Sequence, residues 1–278
     1  MLGPGSSGKA RENAALVLGG LARAPGNAEI IGAAGAIPPL VQMLGPDSQA
    51  LAQGIATDAL AWLALGATTY AGNANAIADA GGIPALVRLL GGGSPADVQH
   101  NVVKGLCRLA ERDDIGAAIA DAGTIPLLVQ LLGPTTSAAM HSNTAAALGS
   151  LAHLAANKAP IAAAGAIPLL VQLLGPASPA DVHFNAVGAL GKLADVTENA
   201  AAIIFRGAIP YMVQMLGPHS TAKAQFMATL AMSALGSGSA EARATMAAAG
   251  ATSALLQRML VSGGGYVLDG GKVHAAQQ

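Results

Sequence analysis

The sequence predicts an all-α fold made of stacked helical repeats, and three observations carry that prediction. A Gly-x-Ile-Pro tetrapeptide recurs at residues 35–38, 81–84, 123–126, 165–168 and 207–210, and a worn sixth copy follows at 250–253. Its prolines stand 46, 42, 42 and 42 residues apart. At such a period each unit is too small to bury its own apolar face and must stack on its neighbours. No segment alternates apolar and polar residues with period two, so strands are not expected.

The punctuation divides each period into three helices. The glycine suits the position just past a helix end, where positive φ is needed. The proline three residues on opens a second helix, in a turn where its missing N–H goes unused. That helix reads Pro-Leu-Leu-Val-Gln-Leu-Leu at 168–174 and stops at Gly45-Pro46, Gly92-Gly93, Gly133-Pro134, Gly175-Pro176 or Gly217-Pro218. Ten residues after each proline stands a hydroxyl, Ser48, Ser94, Thr136, Ser178 or Ser220, expected to cap a longer third helix. Two copies add Ser-Pro-Ala-Asp, at 94–97 and 178–181, with a carboxylate near the positive dipole end. The third helices follow at 98–110, 143–152 and 185–194, and a short alanine-rich first helix such as 157–164 leads back to the next glycine.

The recurrent Gly-Ala-Ile-Pro-x-Leu-Val-x-Leu-Leu-Gly and Asn-Ala-Ala-x-Ala-Leu-x-x-Leu-Ala motifs resemble the armadillo repeat family over residues 11–261. The resemblance implies a right-handed α–α superhelix of about five complete three-helix repeats, anchored at Pro38, Pro84, Pro126, Pro168 and Pro210. Partial repeats at 11–24 and 241–261 end the stack, with a flexible leader at 1–10 and a flexible Gly-rich tail at 262–278. It also implies that third helices line a concave groove that holds extended peptide.

Composition removes several other function classes. Charged residues are 10% of the chain, against roughly 25% in ordinary soluble domains, so stacked small-residue interfaces are expected. A net charge of −1 gives no broad phosphate footprint, and no nucleic-acid partner is expected. The most membrane-like segment, 159–174, is broken by Pro160, Gly165, Pro168 and Gln172, where a span needs about 20 apolar residues. Lys9, Arg11 and the apolar run at 14–22 mimic a secretory signal. Residues 13–22 nevertheless align with the third-helix motif, and a cytoplasmic or nuclear location is expected. Leu2 stands where N-myristoylation needs glycine. The stretch from Gly3 to Lys9 imitates a phosphate loop, but Ala10 replaces the metal-binding hydroxyl and no strand precedes it.

No catalytic residue, cofactor or metal site is expected. Cys107 is the single cysteine, at a position that Gly149 and Gly191 fill elsewhere, and reads as a small packing residue. His141 and His183 share a column with Gln53, Gln99 and Gln225. Two histidines without a third ligand do not make a zinc site, so the column reads as a polar row at the groove edge or an inter-repeat hydrogen-bond ladder. Asp113-Asp114 reads as a solvated turn and helix cap.

Function is expected on the third-helix row. Importin-alpha-type repeats carry Trp and, four residues on, Asn; the matching pairs here are Leu16/Gly20, Asp58/Trp62, Lys104/Arg108, Ala146/Ser150, Gly188/Lys192 and Leu230/Ala234. None keeps both, so recognition of basic import signals is not expected. Asn13, Asn101, Asn143 and Asn185 form another column, expected to bond neighbouring loops and fix stacking. His100, Lys104, Arg108 and Arg112 follow at intervals of four, one stripe of a single helix. Trp62 lies one repeat earlier, Ser150 leaves the next position neutral, Lys192 restores a charge, and Phe184 and Phe226 share the His100 column. With Asp58, these residues are the candidate surface for a protein or peptide carrying acidic side chains near Arg108 and an apolar one near Trp62.

The extra residues at 66–72, with Tyr70, are a second candidate contact. The chain starts on a third helix and ends on worn helices, so flanking repeats, a further domain or a covering partner are expected. Two function classes follow: a non-enzymatic binding scaffold, or the substrate-recognition part of a U-box/armadillo ubiquitin ligase. No U-box-like segment is present in the sequence.

Overall fold

The computed structural model describes residues 2–3, 5–65, 71–91, 93–217, 220–238, 240–252, 266–269 and 272–275. The chain divides into two compact units, 1–130 and 131–278.

In the first unit, a third helix α1 (Gly8–Leu21) precedes two full triplets. These are α2 (Asn27–Ala33), α3 (Ile37–Gln42) and α4 (Ala50–Leu65), then α5 (Ala71–Asp79), α6 (Gly82–Leu90) and α7 (Ala96–Leu109). The helices α8 (Asp113–Asp121) and α9 (Thr124–Gln130) complete it. The second unit repeats the plan. It opens with α10 (Ala138–Leu151), followed by α11 (Ala155–Ala163), α12 (Ala166–Gln172) and α13 (Ala180–Leu193). Then come α14 (Thr197–Phe205), α15 (Ala208–Met215) and α16 (Ala222–Gly238), and finally α17 (Ala240–Ala248).

The glycine reading holds at every copy: Gly35, Gly81, Gly123, Gly165, Gly207 and the worn Gly250 all have φ between 76° and 87°. Any side chain there would be strained. The second helices bury Ile37, Leu40, Ile83, Leu86, Leu170 and Met212 almost completely, each such side chain contributing about 1.5–3 kcal/mol. Third helices stack in rows, α1 on α4 on α7 in one unit and α10 on α13 on α16 in the other. Small residues allow the close approach. A Cβ on Gly19 would lie 3.2 Å from Ala59 Cα, and one on Gly191 would lie 3.1 Å from Ala231 Cα.

Three expectations need correction. The hydroxyl column does not cap the third helices: Ser48, Thr136, Ser178 and Ser220 close turns by N–H bonds to Gly45, Gly133, Gly175 and Gly217. The cap falls one residue later, on Ser137 for α10 and Thr221 for α16, while Pro95 and Pro179 occupy it without a side-chain bond. The leader is shorter than 1–10, because Ser7 accepts a bond from the Ala10 N–H and starts α1 at Gly8. Helix α11 runs through Pro160, in keeping with the first helix expected at 157–164. Finally, a pair of strands is present where none is expected: Tyr266–Asp269 (β1) pairs antiparallel with Lys272–Ala275 (β2). Two glycines between short β-prone runs are a hairpin signal that the helical period obscured. Residues 66–70, including Tyr70, and residues 253–261 of the worn repeat lie outside the described residues.

Candidate functional site

The shared polar columns are scaffolding, and their geometry separates them from the candidate surface. Gln53 Nε2 donates to Gly45 O at 2.8 Å and Gln225 Nε2 to Gly217 O at 2.8 Å. Gln99 does the same to Leu90 O at 3.2 Å. His183 Nε2 lies 2.9 Å from Gly175 O, and His141 Nε2 lies 2.9 Å from Gly133 O and 2.7 Å from Thr136 Oγ1. This column therefore satisfies carbonyls at the end of the second helix of its own repeat, correcting the inter-repeat ladder. Asn185 Nδ2 donates to Ser142 Oγ at 2.8 Å, joining α13 to α10 through a side chain rather than a loop.

A second asparagine column, which the third-helix motifs do not contain, recurs at Asn27, Asn73, Asn157 and Asn199. Each donates to the third helix before it: Leu21 O at 3.0 Å, Leu63 O at 3.1 Å, Leu151 O at 3.0 Å and Leu193 O at 3.2 Å. In α8 the corresponding residue is the buried Ile115.

In the first unit, the row on α1, α4 and α7 gathers Asp58, Trp62, Lys104 and Arg108 with a partner that sequence spacing did not supply, Arg23. Asp58 lies 3.6 Å from Arg23 Nη2 and 4.0 Å from Lys104 Nζ. The guanidinium carbons of Arg23 and Arg108 are 4.9 and 4.7 Å from the Trp62 ring centroid, both within cation–π range. Arg108 Nη1 also donates to Ala61 O at 3.0 Å. Burial pulls Arg108 below the ordinary guanidinium range, opposed by Cys107, Asp58 and Glu111. The Trp62 Nε1–H is buried without an acceptor among the described residues. His100 is half-buried on the same helix, held below its ordinary value by burial and then by Lys104. Toward the N-terminal halves of these helices lies a cleft of about 240 Å³, lined by Leu16, Gly54, Asp58, Asp97 and Asn101.

Arg112 does not join this stripe. Helix α7 stops at Leu109, and Arg112 takes the N-cap position of α8. There it grips Asp114 with two bonds, Nε–Oδ1 at 3.2 Å and Nη2–Oδ2 at 2.7 Å. Those bonds raise Arg112 and hold Asp114 below the usual carboxylate range. Asp113 and Asp114 form the first turn of α8 rather than its cap.

In the second unit, Ser150, Phe184, Lys192 and Phe226 occupy the equivalent row, with a different character. Lys192 Nζ reaches back to Gly149 O at 3.0 Å, the same reach that Arg108 makes to Ala61 O. Phe184 is half-buried beneath Lys223, whose Nζ is 4.2 Å from the ring centroid. Phe226 and Leu230 remain 41% and 44% exposed, large for apolar side chains on packed helices.

Among the described residues, no group of three or more His, Cys, Asp or Glu side chains is placed to hold a metal ion. Among the same residues, no helix is long and apolar enough to cross a membrane.

Residues 71–111, 117–153 and 155–195 match the Armadillo/beta-catenin-like repeat. The structure is similar to an engineered protein solved by a structural genomics consortium, at 29% identity and TM-score 0.76 over 84% of this chain and 94% of that one. It is also similar to a designed armadillo repeat protein in complex with the peptide (KR)4, at 25% identity and TM-score 0.72, covering 84% and 95% of the two chains. Computationally designed armadillo repeat proteins for modular peptide recognition align at 26% identity and TM-score 0.72, covering 84% and 96%. Comparison with curated proteins returns no match. Recurrent glycine–proline punctuation, three-helix triplets and these similarities agree on one fold: stacked three-helix repeats of the armadillo type, three of which match the family's repeat directly.

Proposed function

We propose that the chain is a non-enzymatic scaffold that holds an extended peptide against its third-helix rows. In the first unit it takes an acidic side chain beside Trp62. The observation that carries this reading is the grouping of three cations, Arg23, Lys104 and Arg108, around one carboxylate, Asp58, at an aromatic face. Arg108 is half-buried and incompletely compensated, so a carboxylate reaching it gains from low dielectric as well as from charge. Asp58 and Asp97 in the adjoining cleft repel a second acidic side chain there and confine it to the Arg108 end. A designed neighbour binds the basic peptide (KR)4; surplus positive charge on this row favours the opposite sign.

Trp62 is the only tryptophan, so its fluorescence reports on this row alone. An acidic-peptide library titrated against the full chain should quench or shift that emission, with binding that weakens as salt rises. Arg108→Glu should lower affinity at least tenfold and Trp62→Ala severalfold. Unchanged affinity for both variants would reject this assignment.

A further inference from the structure

We propose that the second unit carries a separate apolar anchor subsite, a notch between α13 and α16 opened by Gly188. It takes one bulky aliphatic or aromatic side chain of an extended peptide whose next residues include a carboxylate. The inference rests on the scaffold reading above and names what this part of the row selects.

The third-helix column that contains Gly188 otherwise reads Leu16, Asp58, Lys104, Ala146 and Leu230. Glycine leaves an opening in that column. A notch of about 190 Å³ lies there, lined by Val187, Gly188, Gly191, Lys192, Met227 and Leu230 among others. That volume is several times the roughly 30 Å³ share of one water, room for a single large side chain. Its floor is apolar and adjustable. The Met227 methyl would be 2.9 Å from a Cβ on Gly188, and an unbranched thioether yields readily to a guest. Beside the notch stand the exposed Phe226 and Leu230, which an extended peptide crossing α16 would cover.

Charge sets the rest of the occupant. Lys223 is solvent-exposed and held above the Phe184 ring. Asp195, at the opposite edge, is already paired with Lys158. With Lys192 lining the notch, Lys223 beside it and Asp195 held by Lys158, its charge matches a carboxylate close to the apolar anchor rather than a basic flank.

The test uses a random extended-peptide library selected against the full chain and against two variants. Gly188→Leu fills the notch. The column tolerates side chains elsewhere, and only a flexible methionine end stands in the way, so its melting curve should match the parent. Lys223→Glu reverses the flanking charge at an exposed position. The parent should select Leu, Ile, Met or Phe at one position with Asp or Glu within the next few residues. Gly188→Leu should lose at least tenfold affinity for those peptides, and the Met227 methyl NMR signal should move on binding in the parent. Lys223→Glu should shift the flanking preference from acidic to basic. Selected peptides without an apolar position, or affinity unchanged by Gly188→Leu, would overturn the subsite. If their binding still depends on Arg108 and Trp62, the scaffold reading survives that result. Selection of no peptide at all would overturn both.

Discussion

The two units run through the same series of helices, yet equivalent positions have been spent differently. Where the first unit places Asp58, Trp62, Lys104 and Arg108 in a web of ion pairs and ring contacts, the second places Gly188, Lys192, Leu230 and Ala234. The columns that end helices hardly change between units: Gln53 and His183 make the same bond to the same kind of carbonyl. Backbone satisfaction is thus repeated unit by unit, while the row left after it is free to vary. One scaffolding column does differ. Asn73 Nδ2 donates to Ala28 O at 2.8 Å, whereas its equivalent Asn199 lies 3.4 Å from Lys158 O. The first unit has Gly32 where the second has Ala162, and the missing Cβ lets Asn73 come closer.

That contrast gives the largest expected effect. A Cβ on Gly32 would lie 1.7 Å from Asn73 Oδ1, and Asn73 is only 1% exposed. Gly32→Ala must push the amide away from Ala28 and Leu63 and leave buried carbonyls underbonded, a loss of about 3 kcal/mol. Urea unfolding followed by hydrogen exchange should place this loss in the first unit. Ala162→Gly in the second unit should change stability by only about 1 kcal/mol, chiefly through helix propensity. Equal losses for the two substitutions would remove the close-approach explanation.

Next come the two cations that reach back along the rows. Arg108→Met should cost about 2 kcal/mol, because it removes both the bond to Ala61 O and the contact with the Trp62 ring. Lys192→Met removes the bond to Gly149 O and should cost about 1 kcal/mol. If the two losses are equal in urea titrations, the Trp62 contact adds nothing to folding.

A smaller effect tests whether the His/Gln column is structural. His183→Gln should leave the melting temperature nearly unchanged, within about 0.5 kcal/mol, because Gln53 and Gln225 make the same bond from the same position. His183→Ala leaves Gly175 O without that donor and should cost about 1 kcal/mol. A large loss in the glutamine variant would mean that the imidazole does something the amide cannot.

The repeat, its helices and the row were legible because each is written several times: positive-φ glycines, first-turn prolines and third-helix columns all recur in register. What failed was information that a period cannot hold. Arg112 continues the spacing of His100, Lys104 and Arg108 but lies past the end of α7, where the backbone has turned away. Arg23 lies beyond the end of α1 and reaches Trp62 only because Gly19 lets α1 and α4 approach closely. The cap position was misread for a related reason. Ser48 and its equivalents are good cap residues, but a turn back to the preceding glycine uses their backbone and moves the helix start along the chain. The Asn27, Asn73, Asn157 and Asn199 column is written in the sequence but stands alone, because short first helices carry few other signals.

The smallest effect concerns pH and separates the units by a residue that only the first has in this column. His100 shares its position with Gly54, Ser142, Phe184 and Phe226. Burial and the nearby Lys104 hold its folded value below the ordinary imidazole value, which is about 6.5. Between those two values the unfolded chain binds more protons than the folded one, so stability falls as pH drops below about 6.5 and levels off beneath the folded value. Comparing urea midpoints at about pH 7.5 and about pH 5.5 should show a modest decrease for the parent. His100→Gln should flatten the part of that slope that arises in the first unit. Hydrogen exchange in α7 should follow the same direction, with faster opening at the lower pH after correction for intrinsic exchange. An identical slope in the variant would place the titrating group elsewhere, and the charged character of the first row would then have no influence on folding in this range.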